Sequence, residues 1–206
     1  MYVDCLAAEN EFEKCWNNLS YTTIQLDDVD VNQALSHYST QKPIHFTKTM
    51  LWDMEAKKAW NPANYISYVI KAGSAKSWYK HPCQKTGGEI FVRCSAQKKW
   101  LEPSIFEMVY EEVYVNEKAK LVTFLGVTTL PEKNEIIHPS QPLFHVQHGA
   151  AGTEDRPLNT WRIVHLTQGV DQQLINHFKK FNDPTTLPGF IEAYIKNDLN
   201  IYIEKK

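Results

Sequence analysis

The feature that most constrains this chain is a change of period at Gly87. Before it, apolar residues recur at helical spacing. From "GGEIFVRCS" onward they alternate, which is the pattern of a strand with one face buried. The alternation continues through "FEMVYEEVYVNEKAKLVTFLGVTTL", two strands around a polar turn at Asn116-Glu117-Lys118. "PLFHVQHGA" and "TWRIVHLT" extend it, joined by the Gly/Asp/Pro-rich stretch 149–159, which reads as a hairpin loop. Four or five consecutive antiparallel strands follow. The chain then turns helical again. "DQQLINHFKKF" has Asp171 near its start, and "LPGFIEAYIKNDLNIYI" lines up Phe190, Ile191, Tyr194, Ile195 and Leu199. Strands segregated from helices argue an α+β fold, with helices covering one face of an antiparallel sheet.

Ahead of the sheet, "NEFEKCWNNL" places Phe12, Cys15, Trp16 and Leu19 on one helical stripe. "DVNQALSHYS" reads as a short helix capped by Asp30, and "PIHFTKTMLW" as a strand. Residues 53–72 read as two helical pieces divided at Pro62, with Asn61 capping the second. Residues 1–39 are expected to be an extension packed on a single domain of residues 40–206.

Composition narrows the function. The chain has 206 residues, 43% hydrophobic and 22% charged, with a net charge of −2, so it can bury a core without disulfides or metal. No basic stripe is present, which argues against nucleic acid as a partner. No apolar run of membrane-spanning length exists, so integral membrane association is not expected. The N-terminus lacks the basic and apolar regions of a signal peptide, which points to the cytoplasm. Cys5, Cys15, Cys83 and Cys94 match no zinc spacing and are expected as reduced thiols. No phosphate-binding loop and no Gly-x-Ser-x-Gly elbow appear. No cofactor and no metal are expected.

The order of elements, over about residues 40–204, resembles the helix-grip fold of the START and Bet v 1-like superfamily, which includes the polyketide cyclase/dehydratase group. "HFTKTMLWDMEAKKAW", the meander to Leu166 and "PGFIEAYIKNDL" carry the resemblance. It implies a curved antiparallel sheet against a long C-terminal helix, with shorter helices near the N-terminus. It also implies an apolar cavity for a hydrophobic small molecule. Catalytic residues vary across that superfamily, so none is carried over. Nuclear-transport-factor-2-like cones are the nearest competitor, but they end on a strand.

Candidate site residues follow from strand parity. In "LFHVQH", His148 shares a face with Phe144 and Val146, and His145 lies on the other, so the two cannot share one metal without a bulge at Gly149. His165 shares its face with Trp161 and Ile163. Packed, satisfied histidines are the ordinary reading. A pocket acid/base role for His148 or His165 is the sharper one. In "VYEEVY", Glu112 points with Tyr110 and Tyr114, and Glu111 with Val109 and Val113. One carboxylate is expected inward, paired with Arg93 or Arg162. Glu112 is taken as the candidate acid/base beside the two histidines. Tyr110, Tyr114, Phe144, Trp161, Phe190 and Tyr194 are the expected ligand-binding walls. The leading reading is binding of a hydrophobic small molecule, as a carrier. A cyclase-, dehydratase- or isomerase-type enzyme and a ligand-free interaction module are the alternatives.

Overall fold

The computed structural model describes residues 4–130, 135–136, 143–166 and 168–206; Pro142 and Thr167, expected at strand ends, lie outside them. The chain runs α1 (Cys5–Trp16), β1 (Thr22–Gln25), β2 (Val29–Asp30), α2 (Val31–Leu35), β3 (Tyr38–Thr40) and α3 (Lys48–Trp60). The meander follows: β4 (Lys76–Cys83), β5 (Gly88–Lys98), β6 (Phe106–Asn116), β7 (Leu121–Gly126), β8 (Thr129–Leu130), β9 (Glu135–Ile136), β10 (Phe144–Gly152) and β11 (Pro157–His165). It closes with α4 (Gln172–Lys179), α5 (Gly189–Asn197) and β12 (Ile203–Lys205). The starts of α1 to α4 are set by side-chain caps: Asp4, Asp30, Thr47 and Asp171 accept hydrogen bonds from the backbone N–H of Ala7, Gln33, Met50 and Leu174.

The fold is α+β. The main sheet is antiparallel, in the order β1-β11-β10-β7-β6-β5-β4, with β2 also pairing with β11. Its first strand therefore pairs with its last, Thr22 opposite His165. Both faces are covered. Phe91, Val113, Val115, Val122, Phe124 and Ala150 pack against α2, α3 and α5. Through the sheet, Ile90, Tyr114, Leu125 and Val164 pack against Cys5, Ala8 and Phe12 of α1. Ile24, Leu26 and Ile163 extend the first face beneath Leu174 and Phe178 of α4.

Several expectations change. Residues 43–47 are irregular, and the helix begins at Lys48. The second helical piece is a single 3₁₀ turn, Pro62–Asn64, and Asn61 makes no side-chain cap. Strand β4 was not expected: "KSWYKHPC" is an edge strand, largely open to solvent, with a register shift between Trp78 and His81, so it lacks apolar alternation. Most of the stretch 149–159 is strand, because its glycines serve close packing: a Cβ on Gly149 would lie 2.6 Å from Thr160 Oγ1. The register of β10 with β11 is continuous from Phe144 to Gly152, so no bulge interrupts it. The last helix is short, nine residues against thirteen in α3, and Asn200 adopts a left-handed φ of 51° before the chain pairs with β3. Helix α3 thus supplies the cover expected from a long C-terminal helix. Residues 22–25 and 29–30 of the expected extension are strands of the main sheet.

Candidate functional site

A cavity of about 600 Å³ lies between the sheet, α3 and the segment leading into α5. Its walls are mostly apolar, among them Leu26, Val69, Trp100, Val146, Trp161 and Phe190. Its deep end is polar. Lys58 of α3, Arg93 of β5, Glu111 of β6, His148 of β10 and Asn159 of β11 all line it, and all are buried.

These groups form two sets. In the first, Lys58 Nζ sits 2.7 Å from Glu55 Oε2, one helical turn back on α3. The same ammonium is 3.0 Å from His148 Nδ1 and 3.7 Å from the centre of the Phe190 ring. Asn159 Nδ2 donates to Glu55 Oε1 at 2.9 Å, tying α3 to β11. In the second, Arg93 and Glu111 are direct cross-strand partners. Arg93 Nε donates to Glu111 Oε2 at 2.6 Å and Nη1 to the Ala59 carbonyl at 3.1 Å, with the guanidinium over Phe124. Two cations and two carboxylates balance, as buried charges require.

The protonation pattern follows. Burial, then the Lys58 charge, push the His148 imidazole down to about 4, with Glu55 opposing. The ring is therefore neutral near pH 7. Nδ1 has Lys58 Nζ at 3.0 Å and Glu55 Oε1 farther off at 3.6 Å. An ammonium has only donors, so with Lys58 charged the nearer contact makes Nδ1 the acceptor and assigns the ring proton to Nε2. Among the described residues nothing hydrogen-bonds Nε2. Burial pulls Lys58 below the ordinary lysine value, and Glu55 partly offsets this. Burial alone would raise Glu55, but Lys58 and His148 hold it below the usual carboxylate range. The site thus offers an N–H donor on a neutral ring, with a proton source behind it.

Of the residues expected from sequence, His148, Trp161 and Phe190 meet at this cavity, with the His148 and Trp161 rings 5.0 Å apart. The others do not. Glu112 lies on the opposite face with Tyr110 and Tyr114, where it accepts a hydrogen bond from the Tyr114 hydroxyl at 2.6 Å. The inward carboxylate is Glu111, because its strand parity is that of Val113 and Phe91. Phe144 is on the face that α3 and α4 cover, and His165 stacks on it at 4.5 Å, but both lie outside the cavity lining. Tyr194 is core, its hydroxyl on Asp53 at 2.8 Å. His145 points to the α1 side, where burial lowers its pKa. Among the described residues no group of three His, Cys, Asp or Glu is placed to hold a metal. Glu55, Lys58 and Asn159 escaped sequence reading. The only signal was the Glu/Lys pair three apart in "MEAKKAW", which is the ordinary pattern of a solvated helix face.

No family model matches the chain, and no curated protein matches it. Among solved structures it is similar to truncated norcoclaurine synthase from Thalictrum flavum, at 10% identity and a TM-score of 0.44, over 89% of this chain and 98% of that one. A likeness at that level says nothing about chemistry, so the cavity's own residues carry the functional reading.

Proposed function

We propose that this chain binds a hydrophobic small molecule carrying one neutral hydrogen-bond acceptor, such as a carbonyl, and acts as its carrier. The observation that supports this is an apolar cavity ending on a buried polar cluster whose charges already cancel. A ligand carboxylate or ammonium would unbalance that cluster, whereas a neutral acceptor takes the open Nε2–H of His148 without disturbing it. The apolar walls then hold the rest of the molecule.

A second reading is favoured by one detail, the Lys58 ammonium directly behind His148. If His148 gives its Nε2 proton to a ligand carbonyl, Nδ1 can take one from Lys58. That is general acid catalysis of an isomerisation: the Nε2 left unprotonated takes the ligand's α-proton as the enol forms, and Nδ1 returns its proton to Lys58. Free thiols at all four cysteines fit a reducing, cytoplasmic setting.

The test is displacement of N-phenyl-1-naphthylamine from the protein by medium-chain 2-ketones and by alkanes of equal length. The ketones should bind roughly fivefold tighter, the value of one net hydrogen bond, and His148→Phe should erase the difference. A dye that never binds, or ketones no better than alkanes, would sink the reading. Turnover of the ketone would move weight to the enzyme.

A further inference from the structure

Three segments meet at the cavity mouth: residues 68–71, the β5–β6 hairpin at 98–106, and residues 179–183 leaving α4. They are tied together. Lys98 N donates to the Val69 carbonyl and Lys71 N to the Ala96 carbonyl, each at 2.9 Å, and Trp100 packs 4.7 Å from Phe178. Tyr68, Trp100, Lys180 and Phe181 all line the opening.

These segments turn apolar side chains to solvent. Tyr68 and Phe181 are each 50% exposed, Leu101 44%, Ile105 40% and Phe106 39%. They make up half of the large apolar side chains exposed among the described residues, gathered at one end of the molecule. Cations accompany them. Lys71, Lys98, Lys179 and Lys180 make no ion pair among the described residues, whereas Lys99 is held by Glu102 at 2.9 Å. On the acidic side of the rim stand Asp27 and Asp183, and Asp183 is engaged by the Thr185 and Thr186 hydroxyls. Lys42, Lys48, Lys76, Lys118 and Lys206 also lack an ion pair among the described residues, but four such lysines come together with exposed apolar side chains only here, on a chain of net charge −2.

We infer that this end of the molecule docks on the surface of an anionic lipid bilayer, so that a hydrophobic ligand passes between bilayer and cavity without crossing water. Exposed aromatic and aliphatic tips enter the headgroup boundary while lysines meet lipid phosphates. No helix among the described residues is long and apolar enough to cross a membrane, so the contact is peripheral. A second copy fits this surface less well, since a two-fold contact would set the lysines against one another. The ligand-transfer part rests on the cavity reading; the docking part does not.

The experiment is flotation of the full chain with vesicles of phosphatidylcholine alone and of phosphatidylcholine with phosphatidylserine. Binding should appear with the anionic vesicles and weaken with salt. Lys179→Gln with Lys180→Gln should lower the partition coefficient roughly thirty-fold, since each lysine near an anionic leaflet contributes about a fivefold factor. Leu101→Ser with Ile105→Ser, which leaves the cavity lining intact, should also release the protein while its melting temperature holds. No binding to anionic vesicles, or binding that ignores both variants, would overturn the inference. So would a concentration-dependent dimer that the Leu101/Ile105 variant dissolves in the absence of vesicle binding. None of these readouts requires a ligand, so a failed cavity reading is distinguishable from a failed docking surface.

Discussion

Arg93 and Glu111 face each other across neighbouring strands beneath α3, Nε 2.6 Å from Oε2, while Glu112, one residue on, points through the sheet to the side that α1 covers. The pair is buried, so removing one partner strands a charge. Glu111→Gln should cost about 3 kcal/mol or more in chemical denaturation. Arg93→Met combined with Glu111→Leu should recover most of that loss. An unchanged midpoint for the single variant would place the pair in solvent.

Stability should depend on pH through the histidines. The His148 folded pKa, about 4, lies below its unfolded value of about 6.5. Between those values the unfolded chain binds the extra proton. The contribution is therefore fully present above about pH 6.5 and is lost as pH falls toward 4, about 3 kcal/mol in all. Burial lowers His145 and His165 as well, in the same sense. Melting temperatures recorded from pH 7.5 to 4 should fall, and His148→Gln should flatten part of the slope. A flat wild-type profile would mean that the imidazole is already charged.

Filling the cavity should separate binding from folding. Val146 lines it, half-buried, between Phe124 and Ile163 on its neighbouring strands. In a filled core Val146→Phe would cost about 1–3 kcal/mol of overpacking. Here the added ring enters empty space, so dye binding should vanish with the melting temperature unchanged or raised. A destabilised variant that still binds dye would show the space to be elsewhere.

Helix α1 should behave as part of the core. Phe12 is fully buried, stacked on Trp16 at 6.0 Å, with the Arg162 guanidinium 4.9 Å from its ring centre. Arg162 in turn reaches Glu13 and Gln147. Phe12→Ala should cost about 3–5 kcal/mol in denaturant titration and leave ketone binding intact. A loss within about 0.5 kcal/mol would make α1 a dispensable appendage.

The sheet was legible in the sequence because its strands carry period-two alternation, and so was the α+β class. The faces of β10 and β11 that carry His148 and Trp161 were legible too, but the face of β6 that meets the cavity was not. Parity separates Glu111 from Glu112 but does not say which of them lies under α3, and both faces here are buried because α1 covers the second. The hairpin at 149–159 hid Asn159, since glycines needed for close approach look the same in sequence as glycines that turn a loop. The end of the last helix was invisible for a related reason: Leu199, Ile201 and Ile203 keep an apolar pattern that serves helix and strand alike. Lys58 and Glu55 were missed because an ion pair spaced three apart carries no mark of its burial.

The pairing of Thr22 with His165 bears on how the molecule forms. The edge at β1 has no partner until β11 exists, and β11 must slot between β1 and β10. The β3–β12 ribbon likewise joins residues near the two ends of the chain. Much of the native pairing is therefore distant in sequence, and closing such loops precedes any reward from contact. Refolding should be slow beside a helical protein of this length. Until β11 docks, the deep polar cluster is incomplete, since Asn159, which ties Glu55 to the sheet, arrives on it.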